Sequence, residues 1–556
     1  MEFSWKAFFR DCAGRLEFGL SRAAPVVWIA LSAGLSFYPL KGKGVSGIWE
    51  IQGRIWVVIF WALVVAGVSI SALGWGIEGL GRGCVAHSGG GRVEKGCGPV
   101  SGARFWLAEA GAALALGLVL GASAALAETA CLAPPELSRF SASSLAGRLE
   151  GDSRLSASGN TILQLRLDTI EVSTSTWNAK IEWPKSKARI SLVVEGKRGV
   201  SKGMMFSATG VSPISLEQAL FYAAAKNCKA GMYTSPAYYV RNLAVRFLAE
   251  RLEKVTGKAF PLAQALLLGI RDDLDPEIPQ LFRAAGCAHI LALSGQHLSI
   301  LCSLAGLFFV KVLRRRDLAA AAVPLIAILF TWIAGAGPSL LRAAIMSVAA
   351  AAASRLDRPQ QGIGTLSLAF CLALAWSPSE ARSLSFVLSY GAMVGLFFFS
   401  ARWETFLWRI PPLAAKPLAA SLAALSITSF ISLPSFGYLA LGGIIASALS
   451  GPLVLALMWL ILGAVILGSL LPFLDSIFAS LHEFLQYALL FIMEKGSRLP
   501  VIETDKGTDT FSVLLAIALL NLFVYAYPYA EYALSAARYA RKGAKPRRRE
   551  FHGDSL

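Results

Sequence analysis

Long apolar runs alternate with short polar turns along most of the chain, and one stretch breaks that rhythm. A membrane helix needs about 20 mostly apolar residues. Three such runs open the chain, at about 23–40, 55–74 and 104–127. A second series starts near Cys287 and reaches about Leu313. It continues at about 318–335, 339–354, 362–376, 383–400 and 414–433. A long run at 440–472 is interrupted at Ser450-Gly451-Pro452, a semi-amphipathic helix covers about 475–495, and a last segment spans about 511–530. Between the two series, residues 145–212 alternate with period two: Ile162 to Leu167, Ala188 to Val194 and Met204 to Ala208, punctuated by Gly and Ser. That pattern predicts a small antiparallel β domain, and about 70 residues suits a five-stranded oligonucleotide-binding-type barrel. Helical patterning follows over about 214–285, including Tyr238–Val255 and Leu262–Ile270, with interruptions at Pro276 and Pro279.

Charge orients these elements, because cytoplasmic loops collect Lys and Arg. Arg82, Arg92, Lys95 and Arg104 place the loop after the second run inside. The first loop, with Lys41, Lys43 and Arg54, then falls outside, against the trend. Lys6, Arg10, Arg15 and Arg22 precede the first run, which reads as a retained helix rather than a cleaved signal. Three crossings put residues 131–260 outside. In the second series, Lys311 and Arg314 to Arg316, Arg355 and Arg358, then Arg402, Arg409 and Lys416, all fall inside, as does the tail from Arg538 to Glu550.

Composition agrees. Of 556 residues, 55% are hydrophobic and 16% charged, against about 25% charged in soluble domains. The net charge of +17 would point to nucleic acid in a soluble protein, but here the inside loops and tail account for much of it. The expected fold class is a polytopic α-helical membrane protein with an inserted small all-β, oligonucleotide-binding-like extracytoplasmic domain. The expected division is a membrane block of about three helices at 1–130, the β domain at 131–213, a helical connector at 214–285, a second membrane block at 286–535 and a basic cytoplasmic tail at 536–556.

Polar residues inside apolar segments are costly and mark functional candidates. The richest stretch runs from Gly286 to Ser299 and holds His289, Ser294, Gln296, His297 and Ser299. On a continuous helix His289, Gln296 and Ser303 share a face, while Ser294-Gly295 offers a point to break and re-aim it. Interhelical hydrogen bonding without transport is the competing reading. A second stretch, Gly335 to Met346, starts a helix at Pro338 and carries Ser339 and Arg342 one turn in. Arg342 meets an anionic backbone at a channel entrance, or it snorkels to headgroups. A third pairs Ser385 with Ser389 at i,i+4, a spacing that also simply packs helices. A fourth, Gly442 to Pro452, mixes small residues with a breaking end and includes Ser447.

Cys131 and Cys228 flank the β domain on the outer side and form a candidate disulfide in an oxidising compartment. Cys84, His87 and Cys97 match no zinc spacing, and Cys287, Cys302 and Cys371 read as small apolar fillers. No phosphate loop ends in Lys-Ser/Thr, and the five histidines form no His-x-His or His-Glu-x-x-His pair. We therefore expect no ATPase activity, no metal, no cofactor and no enzymatic role.

In this order, the stretches resemble the ComEC family of DNA-uptake channel proteins, from the β domain to about residue 470. The resemblance is carried most strongly by Leu266 to Leu307, which holds Ala-Leu-Leu-Leu-Gly-Ile-Arg-Asp-Asp-Leu and then Phe-Arg-Ala-Ala-Gly-Cys-Ala-His-Ile-Leu-Ala-Leu-Ser-Gly-Gln-His. Pro338–Ala343, Ser385–Ser389 and the turn at Leu433, Pro434, Phe436 and Gly437 match further family motifs. Gln296 stands where the family usually has Leu, and Ser447 where it often has Asn. Many members also carry a C-terminal metallo-β-lactamase-like domain, and this chain is expected to be a form lacking it.

The resemblance implies an inner-membrane, multi-pass channel that passes one DNA strand into the cytoplasm during natural transformation. It implies that His289, Ser294, Gln296, His297, Ser299, Ser339, Arg342, Ser385, Ser389 and Ser447 line or gate the path. In the β domain, Arg166, Lys180, Lys185, Lys187 and Arg189 would meet phosphates, and Trp177 and Trp183 would stack on bases. Phe206 reads as core. The implied partners are single-stranded DNA, the bilayer, a separate cytoplasmic ATPase motor, an extracytoplasmic DNA receptor and a separate nuclease, with oligomerisation left open. Two alternatives stand beside this reading. One is a permease for another polyanion or small solute; the other is an integral-membrane enzyme using His289 and His297.

Overall fold

A computed structural model describes residues 142–541, apart from 157–158, 175–176, 183–188, 197–198, 216–219, 357–361, 382 and 505–507, together with residues 119–121 and 123. The expected block at 1–130 therefore lies almost wholly outside the described residues, as do Cys131, Trp183, Lys185, Lys187 and the end of the tail.

Among the described residues, nine strands form the β domain. They are β1 (Ala142–Leu149), β2 (Arg154–Leu155), β3 (Thr161–Thr174), β4 (Trp177–Glu182), β5 (Arg189–Val194), β6 (Met204–Thr209), β7 (Ser212–Ser215), β8 (Leu220–Ala223) and β9 (Cys228–Tyr233). The order along the sheet is β7-β8-β5-β3-β1-β6-β9, with β2 and β4 also paired to β3. All neighbours are antiparallel except β5 and β8. The long β3 is the spine, and its alternation explains the fold. Leu163, Leu165 and Leu167 turn inward and are buried, while Gln164 is exposed. They pack with Leu145, Leu149, Ile190, Leu192, Phe206 and Phe221 in one core. Each such side chain contributes about 1.5–3 kcal/mol by leaving water. Phe206 is 1% exposed and belongs to this core. Gly147 sits where β1 slips register against β3, and any side chain there would strike the Arg166 backbone.

The sheet continues beyond residue 213, where the sequence pattern loses it. Strands β7 and β8 have four residues each, too short for a readable period. Strand β9 is a largely exposed edge containing Lys229 and Gly231, which reads as loop.

Helices follow: α1 (Pro236–Thr256), α2 (Phe260–Leu268), α3 (Glu277–Ala284), α4 (Ala288–Leu291), α5 (Gly295–Leu307), α6 (Arg316–Ile333), α7 (Pro338–Arg355), α8 (Gly362–Trp376), α9 (Pro378–Ala381), α10 (Leu384–Phe406), α11 (Pro412–Phe436), α12 (Gly442–Leu470), α13 (Asp475–Ser497) and α14 (Thr508–Arg541). Among the described residues, seven stretches are long and apolar enough to cross a membrane. They are α5 with its π-helical extension to Val312, α6, α10, α11, α12, α13 with the preceding turn from Pro472, and Asp509–Tyr527 of α14. The molecule is thus a polytopic helical membrane protein with an inserted β domain. Helix α7 is not among the seven. It packs between α5, α6, α8 and α10, so neighbouring helices enclose Arg342, the buried polar residue near its start. A short two-stranded clip, β10 (Tyr438–Ala440) with β11 (Val501–Glu503), closes the α12–α13 hairpin.

The β core and the main helical core share no residue. Polar contacts join them. Asp152 accepts both Nη groups of Arg241 at 2.9 and 2.6 Å, and Arg241 Nε donates to Trp332 O at 3.1 Å. Burial alone would raise the Asp152 pKa, but the Arg241 bond and charge, aided by the Lys202 N–H, bring it below the usual carboxylate value. A depressed pKa makes this contact fully effective above the ordinary carboxylate range and weaker only as pH falls below it.

Candidate functional site

The helix expected through His289 and Gln296 is broken. After α4 the chain turns extended at Ala292 (ψ 124°) and Ser294 (ψ 166°), and α5 restarts at Gly295. The common face of His289 and Gln296 therefore does not exist. It required seven residues of unbroken helix, and Ser294-Gly295 interrupts them. Ser294 caps the new helix, its Oγ accepting from the Gln296 N–H at 3.3 Å. His297 occupies the place that Glu or Gln takes in a capping box. Its Nδ1 accepts the Ser294 N–H at 3.1 Å and lies 3.0 Å from Ser294 Oγ. With Nδ1 held as acceptor, the hydrogen-bond pattern assigns the neutral ring's proton to Nε2. His297 is 1% exposed, and Nε2 has no partner among the described residues.

Helix α7 begins at Pro338, which needs no N–H partner at that position. Arg342, one turn in, is buried. Its Nη1 donates to Ser389 O at 3.0 Å, and the guanidinium lies 5.8 Å from the Tyr390 ring centre. Ser339 Oγ donates to Ser389 Oγ at 2.9 Å. Arg342 Nε has no partner among the described residues. Glycine at 295 makes this assembly possible. A Cβ there would lie 2.9 Å from Arg342 Nη2 and 3.0 Å from the Ala343 side chain. The first turns of α5 and α7 thus touch, with α10 supplying the acceptor.

The structure therefore brings Ser294, His297, Ser339, Arg342 and Ser389 into one cluster. Ser447, on α12, is 3.4 Å from Cys287 Sγ, and Gly286 (φ 72°) packs against Gly443 beside it. The other expected residues lie differently. His289, Gln296, Ser299 and Ser385 are all exposed. Ser299 Oγ turns back to Gly295 O at 2.8 Å, and Ser385 does not share the role of Ser389. Gly295 and Tyr390 also belong to the site: Gly295 stands in the Ser294-Gly295 break, and Tyr390 directly follows the Ser385–Ser389 motif. Tyr390 packs with Phe370 and Phe386 at 5.6 and 4.4 Å between ring centres, and only the Ser-Tyr-Gly run beside Ser389 hinted at it.

In the β domain, Arg166 lies 3.9 Å from Glu150 in a partly exposed pair, a contact of small energetic weight. Trp177 and Lys180 lie on β4, opposite Thr174 and Glu171 of β3, and Arg189 opens β5. Cys228 is buried on β9.

Comparison with known proteins bears on this cluster. The family model described as competence protein matches residues 266–528. The chain is also similar to ComE operon protein 3 of Bacillus subtilis (strain 168), 29% identical over 168 residues, which are 30% of this chain and 21% of that protein. The chain thus matches about a fifth of that relative's length. No solved structure matches. The cluster of Ser294, His297, Ser339, Arg342 and Ser389 lies wholly inside residues 266–528, the half of the chain that matches the competence-protein family.

Proposed function

We propose that this protein takes part in DNA uptake for competence, as the path by which a single strand crosses the inner membrane. One observation carries the reading. Two buried donor groups, Arg342 Nε and His297 Nε2, lack partners among the described residues where the first turns of two helices meet. Helix N-termini carry partial positive charge and attract anions such as phosphate. Interrupted helices in transporters aim such ends at anionic groups. The family match adds DNA uptake to that chemistry. The β domain's path β8-β5-β3-β1-β6 supports an oligonucleotide-binding-type fold that receives the strand outside the membrane. The chain then acts as a conduit rather than a catalyst, driven by a separate cytoplasmic motor.

The test is genetic. Deleting the gene in the source organism should abolish transformation by labelled DNA and retain bound DNA outside the cytoplasm, and the intact gene should restore uptake. Unchanged transformation in the deletion strain rules the proposal out. A biochemical expectation accompanies it. The full chain in lipid nanodiscs should bind a single-stranded oligonucleotide with affinity that falls steeply as salt rises, because phosphate contacts release counterions. Binding insensitive to salt would separate the protein from this role.

A further inference from the structure

The junction between the β domain and the helical block has an unusual makeup. The two buried apolar cores share no residue, and a set of polar contacts spans the gap between them. Arg241 is 3% exposed and uses all three guanidinium nitrogens. Two grip Asp152 on the β side, and the third grips Trp332 O at the end of α6. Asp152 also accepts the Lys202 N–H at 2.8 Å, which ties both loops of that edge together. Ser201 Oγ donates to Asn242 at 2.9 Å, and Ser153 and the Leu155 N–H both reach Asp272 at 3.3 Å.

What lies beneath the clamp is the turn that launches α7. Gly335 (φ 96°) sits under the guanidinium, with its missing Cβ 3.5 Å from Arg241 Nη2 and 3.6 Å from Asp152 Oδ2. The next residue, Ala336, has φ 56°, a region that non-glycine residues rarely adopt and that surrounding structure must enforce. Gly337 and Pro338 follow, then Ser339 and Arg342 of the polar cluster. Lys202 also lies within electrostatic reach of Glu380, on the short helix just before α10. The same β-domain edge thus addresses the beginnings of both helices that hold the cluster, α7 and α10.

We propose that the Asp152–Arg241–Trp332 contact is a releasable clamp through which the β domain holds the 334–337 turn in its strained form and so sets the position of Ser339 and Arg342 on α7. Releasing Asp152 leaves the buried Arg241 charge without its counter-charge, a state that favours separation into water. The turn then loses its enforcing contact and Ala336 relaxes. A ligand that moves the β domain would in this way be felt at Arg342, without touching it. The clamp belongs to the protein's own mechanics and works in the same way whichever solute passes.

Hydrogen exchange on the full chain in lipid nanodiscs tests it without any ligand. Two probes suffice, each followed in the parent and in the variants: the segment 331–342, which includes the Ala336 N–H to Thr331 O bond of 2.8 Å, and the β-core segment 161–167. Asp152→Asn should speed exchange in 331–342 by at least about tenfold, the mark of a local opening, and leave 161–167 unchanged. Arg241→Lys, which keeps the charge but cannot make the fork, should do the same to a smaller extent. Asp152→Glu, which keeps the carboxylate, should stay near the parent. Unaltered exchange of 331–342 in both Asp152→Asn and Arg241→Lys overturns the proposal. So does equal loosening of 161–167, which would make the contact a general stabiliser of the β domain and not a clamp on the turn.

Discussion

Replacing Arg342 by alanine is expected to lower transformation roughly 30- to 100-fold while the protein still reaches the membrane. The magnitude follows from one lost charge-assisted contact, worth about 2–3 kcal/mol, at about 1.4 kcal/mol per factor of ten. Arg342→Lys should fall between the two. Lysine retains the charge and three donors, but its compact ammonium lacks the planar spread that sets Nη1 on Ser389 O while Nε points elsewhere, toward the proposed strand path. The reading is made by transformation frequency, normalised to the amount of membrane-inserted protein. Parental frequency in Arg342→Ala would show that the cluster is only interhelical glue, the alternative that polar residues in membrane helices always present.

The second large effect concerns packing rather than chemistry. Helices α10 and α11 approach so closely at Gly395 that any Cβ there would collide with the carbonyl oxygen of Ala423. The pair is further fixed by Trp403 Nε1 donating to Ser426 Oγ at 3.0 Å. Gly395→Val should therefore destabilise the solubilised protein by ~3 kcal/mol or more, because overpacking a tight contact forces backbone shifts. Gly463, on α12, has nothing within 4 Å of its Cβ position. Gly463→Ala should be neutral or slightly stabilising, since alanine is the better helix former. Thermal unfolding of the two variants side by side checks the contrast. Equal stability of both would mean that α10 and α11 do not pack as described.

Much of this architecture is written locally. A run of 20 apolar residues and a period-two strand are properties of neighbouring residues, so the membrane helices and the Leu163–Leu167 spine could be read from the chain directly. The same holds for the start of α7, which Gly337 and Pro338 announce. Ser294 and Gly295 were legible as a breaking point, yet the alignment of His289 with Gln296 treated the helix as whole; a local stop signal and a periodicity argument gave incompatible answers, and the stop signal prevailed. The remainder depends on distant partners. Nothing near Arg342 says that its acceptor is the backbone of Ser389, and nothing near Asp152 says that it faces Arg241. Strands β7 to β9 gain their structure from pairing with β5 and β6, not from their own pattern, so the sequence left them among the helices. Phe206, by contrast, followed its alternation into the core.

The arrangement around α7 also bears on how the chain is made. A growing chain offers its segments to the bilayer one after another, and an arginine inside an apolar helix raises the cost of entry, by at most roughly 2.5–3.5 kcal/mol at the helix centre and by less one turn in, where Arg342 stands. Helix α7 is too polar to count among the self-sufficient spans, and the acceptor for its arginine lies on α10, 47 positions later in the chain. Its stable entry into lipid must therefore wait for α10 to be synthesised. The two helices enter as a pair, with α8 between them, and the residue proposed to face the translocated strand is also the one that sets the schedule of the chain's assembly.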